Sequence, residues 1–270
     1  MTHLPSQTAA PAKPNPWLYF AARRPSPRLR LFCFPYSGGS AGIFRLWPAR
    51  LGNDDIDVVG VELPGRAWRR SEPLYTGARQ AAQAFCDAVA GELSVPFAFY
   101  GHSVGALLAY EIAHTLRSRG LPRPLALFLS GRKPPHDPKH NISYSTLPDN
   151  KLLSNVAELG AMPGAVLKDP DLRQMIIDVL RADLTIAEQY SYVDRSPLEE
   201  PLFVYASEAD PLVDLADVRG WERHTSARCK LRQYRGGHFF INDGTNRFFA
   251  ELAEDLRGLS LPEPRLDVRS

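Results

Sequence analysis

Cysteine is scarce in this chain: Cys33, Cys86 and Cys229 are the only three among 270 residues, widely spaced and odd in number. A fully paired disulfide framework is thereby excluded, and no CxxC pair offers a metal or redox site. Reduced, buried thiols in a cytoplasmic protein are the expectation. No run approaches the roughly 18 apolar residues of a spanning helix, and the first 30 residues lack the basic-then-apolar order of a signal peptide, which argues against membrane insertion and secretion. Charge of one sign is missing too. With 32 Lys+Arg against 30 Asp+Glu the net charge is +2, so no global field calls for nucleic acid or an anionic membrane, and electrostatic recognition must be local. There is no internal repeat. What the chain does have is a 44% hydrophobic content, enough to fill the core of one large domain or two small ones.

Proline crowds the first 28 residues, at Pro5, Pro11, Pro14, Pro16, Pro25 and Pro27, a density hostile to helix interiors and sheet ladders. A flexible arm over residues 1–28 is expected, with Trp17 to Phe20 able to dock on a body spanning 29–258 and a tail at 259–270. From Leu29 the texture changes. Apolar runs at Leu31–Phe34, Asp57–Val61, Pro96–Tyr100, Leu125–Leu129 and Pro201–Tyr205 do not alternate, which suits parallel strands covered on both faces; Cys229–Tyr234 reads as a later strand. Helical spacing marks Val104–Arg119, stopped by Gly120, and about Asn246–Arg257. Strands alternating with helices predict an α/β sheet with right-handed crossovers. The interval 134–197 departs from that rhythm: helical patterns at Asn150–Leu159 and Asp171–Tyr190, but no strand. A helical insertion that caps a site is expected there, with Tyr144, Met162, Met175, Ile176 and Leu180 as candidate lining or core residues.

The sharpest motif is Gly101-His102-Ser103-Val104-Gly105, a G-x-S-x-G pattern set between an apolar run and a helix. In that setting a serine is held on a strained turn, the flanking glycines leave room for it, and its hydroxyl is presented at a helix N-terminus. A serine needs a base, and the base needs an orienting acid. His238 follows a strand through Gly236-Gly237; His102 flanks the serine, but its side chain is expected to point away. Asp210 follows another strand, just before Pro211, with Glu208 and Asp214 as rivals on the same loop. The order Ser103, Asp210, His238 is that of α/β-hydrolases. Backbone donors for an oxyanion are expected from Val104 and from Tyr36 or Ser37 in the loop Phe34-Pro35-Tyr36-Ser37-Gly38-Gly39-Ser40. A phosphate-cradling reading of that loop fails because no Lys-Ser/Thr pair follows.

Five segments together resemble the type II thioesterases that accompany polyketide synthases and non-ribosomal peptide synthetases. They are the Phe34 to Gly39 loop, Val61-Glu62-Leu63-Pro64-Gly65-Arg66, the Ser103 turn, Asp210-Pro211-Leu212-Val213 and Gly236-Gly237-His238-Phe239-Phe240, in register from about Leu29 to Leu256. Tyr36-Ser37 stands where a small apolar residue is more usual in that family, and Glu62 where Gln is common. The resemblance implies an α/β-hydrolase fold, a monomer, no metal or organic cofactor, and hydrolysis of acyl groups from the phosphopantetheine arm of an acyl or peptidyl carrier protein. Carrier proteins of this class are acidic, and residues 117–140 carry a net +5 against −5 over 149–200, so a basic docking patch including Arg132 and Lys133 is expected. The alternatives are a small-ester esterase or lipase of the same fold, or a catalytically silent binding protein.

Overall fold

The computed structural model describes residues 14–52, 55–137, 143–160, 169–242 and 245–261. Their elements run, in chain order, β1 (Leu18–Phe20), β2 (Leu29–Phe34), α1 (Trp47–Leu51), β3 (Ile56–Val61), α2 (Ala78–Val89), β4 (Phe97–His102), α3 (Val104–Ser118), β5 (Leu127–Ser130), α4 (Asp149–Glu158), α5 (Pro170–Glu188), β6 (Leu202–Ser207), α6 (Leu215–Val218), β7 (Cys229–Tyr234) and α7 (Arg247–Arg257). The strands form one sheet in the order β1-β3-β2-β4-β5-β6-β7, with every neighbouring pair parallel except β1 and β3.

Strands β2 to β6 are buried at every position, as a parallel sheet sandwiched between helices requires. Alternate side chains feed two cores. On β4, Phe97 and Phe99 join the α2 and α3 side, whereas Ala98 and Tyr100 join the side of α1 and α7. Helix α2 turns its stripe Ala78, Ala81, Ala82, Phe85, Cys86 and Val89 to the first core at strict 3.6-residue periodicity.

Two expected boundaries are corrected. The arm does not extend to residue 28: Leu18, Tyr19 and Phe20 pair antiparallel with Val61, Gly60 and Val59, and Trp17 is buried edge-on against Phe85. This short strand covers the otherwise open edge of β3, with Pro16 and Pro25 outside it, where no ladder hydrogen bond is lost. At the other end Leu259 is buried and Leu261 packs against the α7 core, so the body continues past 258. Residues 1–13 and 262–270 lie outside the described residues.

The sheet fixes where a site can form. The chain leaves β2 toward β3 on one side and leaves β4 toward β5 on the other, so the carboxyl ends of these adjacent strands border the crevice at which such sheets bind ligands. The glycine loop follows β2 and the Ser103 turn follows β4.

Among the described residues of the insertion, α4 and α5 bury Leu152, Leu153, Val156, Ile177 and Leu180 in a small core of their own. Asp169 starts α5 by accepting the N–H groups of Asp171 and Leu172, with Pro170 at the first helical position. After α5, Tyr190 donates to the buried Glu111 carboxylate of α3 at 2.5 Å, and Arg195 pairs with the same group. None of the described helices is long and apolar enough to cross a membrane.

Candidate active site

Ser103 sits at φ 55°, ψ −117°, one of two non-glycine residues of positive φ among those described. This strained turn requires bare neighbours. A Cβ on Gly101 would lie 2.2 Å from the Gly105 carbonyl oxygen, and one on Gly105 would lie 2.2 Å from the Phe34 oxygen and 2.7 Å from that of Pro35. The second contact also presses the start of α3 against the start of the glycine loop at Phe34 and Pro35. Ser130, at the end of β5, braces the turn twice: its carbonyl accepts the Ser103 N–H at 2.8 Å and its hydroxyl pairs with His102 Nδ1 at 2.9 Å.

His238 Nδ1 lies 2.8 Å from Asp210 Oδ2, with both side chains almost wholly out of solvent. Asp210 Oδ1 accepts the Leu212 N–H at 2.9 Å, so the turn after the acid aims its other oxygen at the imidazole. The rivals are engaged elsewhere: Glu208 is exposed and faces Arg235, and Asp214 caps α6 by accepting the Ala216 N–H. The expected orientation of His102 is corrected. Its ring stands 4.9 Å from that of His238, centre to centre, and also packs on Phe239 and Phe240. Burial and the neighbouring imidazole hold the His102 pKa well below its ordinary value, so it backs the site as a neutral ring.

The glycine loop completes the crevice. Tyr36 packs edge-on against Phe239 and His102, and burial raises its hydroxyl pKa. The Gly39 N–H closes a turn onto Tyr36 O at 2.8 Å, and the Gly38 N–H donates to Asp183 Oδ2 at 2.8 Å. Neither the Tyr36 nor the Ser37 N–H donates to a described residue. Val104, as first residue of α3, has an N–H with no intrahelical acceptor. Val104 thus lies at a helix N-terminus, where negative charge is favoured.

Sequence reasoning missed Asp183, fully buried on α5 and paired bidentately with Arg66 at 2.7 and 2.8 Å. A signal was present: Asp183 lies three residues after Leu180 and three before Ile186, an acid on a buried stripe. Arg66 belongs to the Leu-Pro-Gly-Arg segment. Burial works against its charge, but the Asp183 carboxylate outweighs this and leaves the guanidinium above its ordinary pKa. Nearby Glu62 accepts the Ala41 N–H, while its Oε1 is buried without a partner. Burial pushes its carboxyl up to about 7, against the lowering effect of that N–H, Arg66 and Arg69.

Of the candidate lining residues, Leu180 reaches the glycine loop, within 2.7 Å of where a Gly38 Cβ would stand. Tyr144 and Ile176 pack on the insertion's own core, Met175 is exposed, and Met162 lies outside the described residues.

The expected basic patch is corrected. Arg132 is buried, with burial lowering its pKa to about 10. Lys133 pairs with Asp217, Arg119 with Asp87, and Arg123 with Glu199 and Glu200. Arg117 donates to the carbonyls of Ser196 and Pro197. Acids distant in sequence thus neutralise the stretch; Lys139 lies outside the described residues.

A thioesterase-domain family model matches residues 29–257. A relative from Brevibacillus parabrevis named linear gramicidin dehydrogenase LgrE is 35% identical, covering 90% of this chain and 94% of its own. The RedJ thioesterase from the prodiginine biosynthetic pathway of Streptomyces coelicolor superposes with a TM-score of 0.81 at 38% identity, covering 87% of this chain and 94% of that one. The type II thioesterase BorB from the borrelidin biosynthetic cluster gives 0.81 at 29% identity, over 89% and 98%. The chain belongs to the thioesterase family, as a thioester-hydrolysing enzyme of the type II kind on an α/β-hydrolase fold.

Proposed function

We propose that this chain hydrolyses acyl thioesters held on the phosphopantetheine arm of acyl or peptidyl carrier proteins, through an acyl-Ser103 intermediate. The observation that carries the reading is the buried 2.8 Å pairing of Asp210 with His238, whose imidazole stands 4.9 Å from the ring of His102, the residue before a serine held at positive φ at the head of α3. Asp210 fixes the Nδ1–H tautomer, which leaves Nε2 as the base. His238 takes the Ser103 proton as Oγ bonds to the thioester carbon. The resulting oxyanion is met by the N–H of Val104 and that of Tyr36 or Ser37. Collapse expels the pantetheine sulfur, which leaves as a thiol with the proton from His238. Water, deprotonated by the same imidazole, then cleaves the acyl-Ser103 ester. In this reading the insertion acts as a lid, with α5 laying Leu180 over the glycine loop so that the acyl chain runs beneath it.

The family relation supports thioester over oxygen-ester chemistry, and the biosynthetic setting of RedJ and BorB supports a carrier-bound substrate. The test compares turnover of an acetyl-phosphopantetheinyl carrier protein with that of a nitrophenyl ester. A higher kcat/KM on the carrier substrate is expected. A strong preference for the free ester would favour a small-ester esterase instead.

A further inference from the structure

We propose that the buried Arg66–Asp183 pair is a positioning device through which the inserted helix α5 sets the oxyanion loop; this rests on the serine-hydrolase reading above. The geometry closes on two atoms. Asp183 Oδ2 accepts both the Gly38 N–H and Arg66 Nη1, at 2.8 Å each, and the same Nη1 donates to the Gly39 carbonyl at 3.0 Å. Asp183 Oδ1 takes Arg66 Nη2 at 2.7 Å. One node therefore joins three segments distant in sequence: the loop after β2, the loop after β3 and the middle of α5.

Its consequence is selective. The Gly38 N–H is taken by Asp183 and the Gly39 N–H by Tyr36 O, which leaves Tyr36 and Ser37, ahead of the anchored pair, and Ser40, after it, as the loop's donors without an acceptor among the described residues. With the Gly38 N–H anchored, the peptide plane between Ser37 and Gly38 is held in one orientation, and the loop that carries the Tyr36 and Ser37 N–H groups is held with it. Stability alone is a weak reason for such a node, because a buried ion pair commonly contributes no more than an apolar pair of the same volume. Apolar packing is already there, since Leu180, one turn earlier on α5, lies against Gly38.

The test uses the full chain with three variants, Asp183→Asn, Arg66→Lys and the apolar double variant Arg66→Met/Asp183→Leu, beside Ser103→Ala. Losing one oxyanion donor costs about 100- to 1000-fold in kcat, so a loop that is misplaced but present should lose about 100-fold. KM should stay within about threefold. Acylation and deacylation, resolved by rapid quench, should slow together because both pass through an oxyanion, and affinity for an alkyl boronic acid should fall in parallel. The double variant should keep a melting temperature near that of the parent and still lose kcat. Retention of kcat within threefold in any folded variant overturns the proposal. Rates that recover with stability in the double variant, or failure of all three to fold, would make the pair a stability element and overturn it too. If Ser103→Ala retained full activity, the serine reading itself would fail; if it were inactive while the pair's variants kept their rates, only the positioning role would.

Discussion

Replacing Gly105 by alanine tests the elbow through backbone sterics alone. The new Cβ would stand 2.2 Å from Phe34 O and 2.7 Å from Pro35 O, where ordinary contact is 3.4 to 4 Å. Relief requires the two segments to separate by roughly 1 Å, and neither is a side chain that can rotate away. Phe34 ends β2 and is paired with Gly101 of β4, so the strain spreads into the sheet at the site itself. Overpacking typically costs about 1 to 3 kcal/mol, and two rigid carbonyls put this case at or above the upper end. In a domain of this size about 3 kcal/mol lowers the melting temperature by roughly 6 to 12 °C. Because the same shift moves the start of α3, and the Ser103 turn with it, away from the glycine loop, kcat should fall by more than the unfolded fraction explains. Gly91→Ala is the control: nothing lies within 4 Å of its Cβ, and a change within about 0.5 kcal/mol is expected. Thermal unfolding followed by circular dichroism, with kcat measured well below the transition, gives both quantities. A Gly105→Ala protein melting within about 2 °C of the parent, or a Gly91→Ala protein equally damaged, would refute the reasoning.

Asp210→Asn should leave the fold intact and lower kcat by about ten-thousand-fold, because an amide no longer fixes the His238 tautomer; single-turnover kinetics at unchanged melting temperature checks it. Glu62, whose folded pKa of about 7 exceeds its unfolded value, binds more protons folded than unfolded. Its contribution is therefore greatest below pH 4.5 and declines as pH rises toward 7. Glu62→Gln should flatten that decline and stabilise the protein at pH 8 by roughly 2 to 3 kcal/mol, and parallel melting-versus-pH curves would contradict this. Arg132→Glu places a carboxylate in a buried site and should cost more than about 3 kcal/mol. Chemical denaturation measures that cost, and a loss below 1 kcal/mol would return Arg132 to the surface.

The parallel strands were legible because burial on both faces leaves apolar runs that need no partner to be read. The Ser103 turn was legible for a related reason: its glycines are demanded by the chain's own backbone. Helix α2 carries an equally clear signal, the 78, 81, 82, 85, 86, 89 stripe, but alanine supplies half of it, and small residues register weakly against phenylalanine runs. Strand β1 was hidden because three residues between prolines become a strand only when the β3 edge is present to pair with. The acid at 183 stands out on its apolar stripe, but what Arg66, Asp183 and Ser130 do was out of reach for a deeper reason. Their roles depend on which loops the sheet brings together, and Asp183 lies 117 residues from the arginine it holds. The charge map misled in the same way. A +5 stretch suggests a basic face only until acids such as Asp87, Asp217 and Glu199 are folded against it.

The central claim is an acyl group carried by Ser103. Incubating the protein with an acyl-phosphopantetheinyl carrier protein, quenching in acid within the first turnover and mapping the adduct by peptide mass spectrometry tests it directly. An acyl mass on the peptide containing Ser103, absent from Ser103→Ala and, once loaded from an activated ester, persisting longer in His238→Ala than in the parent, is the expected result. Full thioester turnover by Ser103→Ala, or an acyl group found on another residue, would contradict it.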